Sequence, residues 1–285
     1  MELALELDRN TWYDLYQRNP IERFAEQYWK ENGIDGWEEY KTIPDRLYIG
    51  NAFCHLVFPK EEQLFTLMEK AIVENVEITL VFPCMREFQV EERGKLRKKV
   101  DNWCEKRQTR VEILVNDWGM IALGKESGKH LEPCLGVLLN KQKKDPRMRY
   151  KKGSTRGLGE SNLQADFYRT FLKDTYGITR YEWESCGYPQ VFPQGKNSLH
   201  LPYYQTNTSQ YCPLYASCTE GERGKQRLPE HCPGYCEQYA YLYPEHLHMA
   251  GRYNSLFGLD AELVKHPEKL KAYQQAGIDR LVIGL

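Results

Sequence analysis

Short, nearly continuous apolar segments recur along this chain, and stretches of helical spacing separate most of them. The clearest is Val76 to Pro83, VEITLVFP. A segment that is apolar on both sides needs cover on both faces, as a strand has inside a parallel sheet wrapped by helices. Leu3, Leu5 and Leu7 alternate, so residues 2–7 are expected to form a strand. Further strands are expected at 45–54, 110–116, 135–140, 178–183, 198–204 and 279–284. Asn19-Pro20 signals a helix start, with asparagine at the cap and proline in the first turn, and Ile21, Phe24, Ala25 and Tyr28 form its buried face. The spacing predicts further helices over 61–75, 91–107, Ser161–Gly177 and Pro267–Gln275.

Alternating strands and helices imply parallel pairing with right-handed crossovers. Eight strands in 285 residues predict an α/β fold, a single (β/α)8 TIM-like barrel whose site lies at the C-terminal ends of its strands. The connections at 116–135 and 184–198 are irregular, so the barrel is expected to be distorted; an open doubly wound sheet is the alternative. Residues 1–285 are expected to form one domain with a cysteine-rich insert at 205–259, in which Arg252 to Leu259 suggests a hairpin. The chain stops at its eighth strand, without the helix that would cover it. Cover is then expected from the N-terminal residues or from a second subunit, a copy or a different chain.

Charge adds exclusions. The 39 basic and 40 acidic residues nearly cancel, so no global attraction to nucleic acid is expected. No apolar run approaches the ~18 residues of a membrane span. The acidic, alternating N-terminus does not look like a signal peptide. Nine cysteines without an export signal point to a reducing, cytoplasmic compartment, where clustered thiols are more often metal ligands or redox groups than bridges.

Four of those cysteines fall in one short stretch: Cys212, Cys218, Cys232 and Cys236. Pro233-Gly234 is a turn dipeptide that brings the sulfurs of Cys232 and Cys236 to one side. Thiolates grouped in this way suit an iron–sulfur cluster or zinc. Three residues between the last two cysteines are less typical of zinc knuckles than two. On the barrel reading, Cys54 follows the second strand on the same face and completes the set. Cys84, Cys104, Cys134 and Cys186 stand alone and are expected to be packing residues.

Three segments resemble a known family. Tyr48-Ile49-Gly50-Asn51-Ala52-Phe53-Cys54 is similar to the strand-end motif of the collagenase-like U-thirty-two peptidase family, in the form carried by its UbiV-like iron–sulfur members. Asn116-Asp117-Trp118-Gly119 resembles the family's Asn-Asp-x-Gly, and Cys218, Cys232 and Cys236 resemble its cluster cysteines. The resemblance implies a [4Fe–4S] cluster on Cys54, Cys218, Cys232 and Cys236. It also implies oxygen-independent hydroxylation, or a related redox conversion, of a small organic or modified-RNA substrate, alongside a UbiU-like partner. Cys212 departs from the UbiV pattern, and its spacing to Cys218 resembles that of UbiU-like members. It is a fifth candidate ligand. A non-catalytic cluster- or zinc-bearing subunit is the alternative. The peptidase in the family's name finds no His-Glu-x-x-His or Gly-x-Ser-x-Gly motif here.

Other candidates surround this centre. Asn116 and Asp117 sit at a strand end, where Asp117 is placed to act as acid or base, or else to shape a turn. The loop from Lys141 to Gly159 is basic and glycine-bearing, and it precedes a helix start that favours anions. Lys143, Lys144 and Arg147 are therefore candidates to hold an anionic substrate, unless the loop is a solvated surface loop. Tyr203 and Tyr204 are candidates to line a pocket.

Overall fold

The structure, a computed structural model, describes residues 1–32, 37, 40, 42–124, 128–145, 157–225 and 227–284. Seven strands come first: β1 (Glu2–Leu7), β2 (Arg46–Gly50), β3 (Glu77–Val81), β4 (Val111–Val115), β5 (Leu131–Leu135), β6 (Arg180–Glu184) and β7 (Lys196–Leu201). Then β8 (Tyr203–Thr208), β9 (Tyr241–Leu242), β10 (Met249–Arg252) and β11 (Ser255–Leu259) form a separate antiparallel sheet in the order β8-β11-β10-β9. The last strand, β12 (Arg280–Ile283), returns between β7 and β1 and closes an eight-stranded parallel barrel.

The helices depart from one per strand. Both α1 (Asn10–Arg18) and α2 (Ile21–Glu31) lie between β1 and β2. Single helices follow the next four strands: α3 (Glu61–Val73), α4 (Val90–Arg107), α5 (Trp118–Gly124) and α6 (Asp166–Tyr176). Among the described residues no helix joins β6 to β7. The return to β12 carries α7 (Pro213–Glu220), α8 (Ala261–Lys265) and α9 (Lys269–Gln275) as well as the antiparallel sheet. No helix among the described residues is long and apolar enough to cross a membrane.

Alternation along each strand divides two environments. Leu3, Leu5 and Leu7 of β1 join the large core between barrel and helices, while Ala4 packs inside the barrel with Tyr48, Leu114, Cys134 and Val282. The same parity puts Glu2 and Glu6 on the inner side. Burial of the aromatic face of α1 and α2 anchors the N-terminal helices, with Trp12 and Tyr28 rings 4.7 Å apart and neither exposed. Each such side chain contributes roughly 1.5–3 kcal/mol relative to exposure. Tyr28 also donates to the carbonyl of Ile283 at 2.9 Å. Tyr28 of α2 packs in the same core as Leu281 and Ile283, so N-terminal residues contribute cover to the final strand.

Three expected elements move. The fifth strand lies at 131–135, not at 135–140, because Gly136 begins a turn in which Leu139 and Asn140 donate back to its carbonyl. A side chain at Gly136 would meet Asn116 Oδ1 at 2.1 Å, which explains the glycine. Asn19 ends α1 instead of capping α2, which starts at Ile21. The cysteine stretch also contains a helix, α7, with Cys212 as its N-cap.

A thiol pocket beside the barrel mouth

The loop after β2 is shaped before it reaches Cys54. Gly50 has φ +123°, and a Cβ there would meet the Val81 carbonyl oxygen at 2.2 Å. Only glycine accepts both constraints. Asn51 then accepts from the backbone N–H groups of Phe53 and Cys54, both at 2.8 Å, and donates to the Asp8 carbonyl at 3.1 Å. This hydrogen bonding presents Phe53 and Cys54 to two adjoining pockets.

Cys54, Cys212, Cys232 and Cys236 line one of them, below Tyr253 and Tyr235. All four are free thiols. Three receive backbone N–H groups at sulfur. Leu56 and Val57 direct theirs to Cys54, Leu214 and Tyr215 to Cys212, and Gly234 to Cys232 at 3.4 Å. Burial nevertheless pushes Cys54 up to about 12, and raises Cys212 and Cys236 as well. Neighbouring thiols act in the same direction, since each disfavours a second negative charge beside it. A metal would therefore displace protons on binding, and its affinity would rise with pH.

Cys218 does not line this pocket. It is exposed on α7, six residues after Cys212, and at about 100° per residue the two project from different sides. It remains within electrostatic reach of Cys212. Among the described residues no group of three or more histidine, cysteine, aspartate or glutamate side chains is set to hold a metal ion. The four thiols line a pocket without converging on a point. A tetrahedral zinc needs its sulfurs within about 4 Å of one another, from bonds of about 2.3 Å. A polynuclear cluster holds its ligands farther apart. Four free cysteines with N–H groups at three sulfurs fit such a group in number and chemistry.

The second pocket is the barrel mouth, bordered by Glu6, Asp8, Asn51, Phe53, His200 and Phe257. The rings of Phe53 and Phe257 meet edge to face at 5.0 Å and form the wall toward the thiols. His200 stands between two carboxylates, with Nδ1 2.6 Å from Glu6 and Nε2 2.8 Å from Glu182. Burial opposes the charged ring, but these carboxylates outweigh it and hold His200 up at about 10. Below it Tyr48 donates to Glu182 at 3.1 Å and accepts from Arg280 at 2.8 Å. Arg280 also binds Glu112 at 2.6 and 3.0 Å. Burial disfavours the Glu112 charge, yet Arg280 holds its carboxyl down at about 2.

The remaining candidates disperse. Asp117 accepts from Met120 N at 2.8 Å and Met85 N at 2.9 Å, so it caps α5 and pins the loop after β3. Buried Asn116 donates to the Phe82 carbonyl at 3.0 Å. Neither borders the mouth. Tyr203 does, whereas Tyr204 is buried over Gly258. Lys144 reaches inward to an ion pair with buried Glu184, and Lys143 donates to the Gly157 carbonyl at 2.6 Å. Both ammonium groups are thus engaged within the chain. Arg147 lies outside the described residues. Sequence reasoning missed Glu6, Glu182 and His200; the signal was the alternation along β1, β6 and β7, where each stands between two apolar residues and so faces inward.

Comparison with family models, with curated proteins and with solved structures gave no match.

Proposed function

We propose that this barrel is an iron–sulfur protein in which Cys54, Cys212, Cys232 and Cys236 hold a [4Fe–4S] cluster beside a small-molecule mouth. The observation that carries the proposal is the lining of one pocket by four free thiols from two separate parts of the chain. Cys212 takes the place that the family resemblance gave to Cys218. A cluster bound there supplies one-electron redox chemistry. The chain's own residues do the rest. The Phe53 and Phe257 rings, which border the mouth, pack in one apolar cluster with Cys54, Cys212 and Cys236. Glu6 borders the mouth 2.6 Å from the His200 ring, positioned to orient a substrate or accept its proton. The resemblance seen in the sequence adds the reaction class, an oxygen-independent hydroxylation or related redox conversion of a small organic substrate.

Iron, acid-labile sulfide and zinc content of anaerobically purified protein tests this reading. About four irons and four sulfides per chain, with brown colour, are expected. Stoichiometric zinc without iron would replace the redox reading with a structural one.

A further inference from the structure

At the opposite end of the barrel, the starts of β4, β5, β6 and β7 border an open crevice. It opens where the helical layer is thin, since α5 has 7 residues against 18 in α4. Its acidic residues are already matched. Glu112 is held by Arg280, and Glu132 by Arg110 at 3.1 Å. Arg180, also in the lining, is paired with Asp279 at 2.9 Å.

Arg97 of α4 is the exception. It lines the crevice and is 2% exposed. Its Nη1 donates to the Met120 carbonyl at 3.0 Å, and its Nε is buried with no hydrogen-bond partner. Among the described residues no carboxylate forms an ion pair with it. Burial pulls it down to about 10, and Asp101 opposes this only from a distance. Arg180, in the same lining, is paired through Nε with Glu112 at 3.4 Å as well as with Asp279. Lys196 stands exposed at the rim. Buried charges are ordinarily paired, because leaving one unpaired is strongly destabilising. One buried guanidinium without a carboxylate partner and with a donor unused, lining a crevice beside an exposed lysine, describes a site that lacks its anion.

We propose that this crevice binds a phosphate-type oxyanion, with Arg97 as its principal ligand and Lys196 at its rim. A guanidinium suits such an ion because its N–H groups match two oxygens at once. The anion comes either as free phosphate or as the phosphate group of a small organic ester.

Calorimetric titration of the purified protein with inorganic phosphate and with adenosine monophosphate, at matched ionic strength in chloride, tests the site. Saturable phosphate binding is expected, and Arg97→Met should weaken it by about tenfold or more. Without phosphate the variant should melt no lower than wild type, since it loses an unpaired buried charge. Tighter binding of the nucleotide than of phosphate assigns the site to an organic phosphate, and equal binding to the free ion; both support it. Absence of saturable binding in wild type, or equal affinity in Arg97→Met, overturns the proposal. Should Arg97→Met fail to fold, Lys196→Gln replaces it: about threefold weaker binding is expected, and unchanged affinity is contrary.

Discussion

Glu237 joins two distant parts of the chain through one carboxylate. It accepts from Asn10 N at 2.9 Å and from the Thr11 hydroxyl at 2.5 Å, at the start of α1. That helix has no side-chain cap of its own, since Arg9 occupies its N-cap. Glu237 therefore caps α1 from more than two hundred residues away, and it follows Cys236 directly. Glu237→Ala should cost about 1–2 kcal/mol in urea melts and lower metal retention, while Glu237→Gln keeps part of both. Unchanged stability in the alanine variant would remove this tether from the account. His200 makes a second prediction. Its folded pKa of about 10 lies above the ordinary 6.5, so its contribution is complete below pH 6.5 and lost as pH rises toward 10. The slope is up to about 1.4 kcal/mol per pH unit. His200→Gln should flatten the decline of stability across that window, and parallel profiles for the two proteins would contradict the pairing.

Among the elements, the end of β2 does most to connect fold and site. Gly50 turns the strand at positive φ against the Val81 carbonyl, and Asn51 then fixes the direction of Cys54. Gly50→Ala should destabilise by at least ~2–3 kcal/mol, measured by denaturant unfolding, because strain and a backbone clash add. A loss under ~1 kcal/mol would mean that the loop relaxes freely. The sequence made β2, β3 and β4 legible because an apolar run bounded by turn residues has few alternatives. It misled at β5, where Val137 to Leu139 are apolar yet belong to a turn that Gly136 starts. It hid α1, whose cap lies far along the chain. Alternation along β1 marked its glutamates as inward-facing but did not name their partners, because Arg46, Arg280 and His200 come from other strands.

For the whole molecule, the barrel brings Cys54 of an early strand end to a segment that follows β8 and builds the thiol pocket between them. Which cysteines are clustered along the chain was plain in the sequence. Which of them point together was not, because a helix between Cys212 and Cys218 separates two residues that spacing alone would group. A cluster bound by both parts would tie the first half of the barrel to the last crossover, so its removal should lower stability as well as activity. The most direct test compares iron content in two single variants purified without oxygen, Cys212→Ala and Cys218→Ala. Loss of most of the iron from Cys212→Ala and near wild-type iron in Cys218→Ala is the predicted result. Iron retained in Cys212→Ala and lost from Cys218→Ala would contradict the pocket as the cluster site.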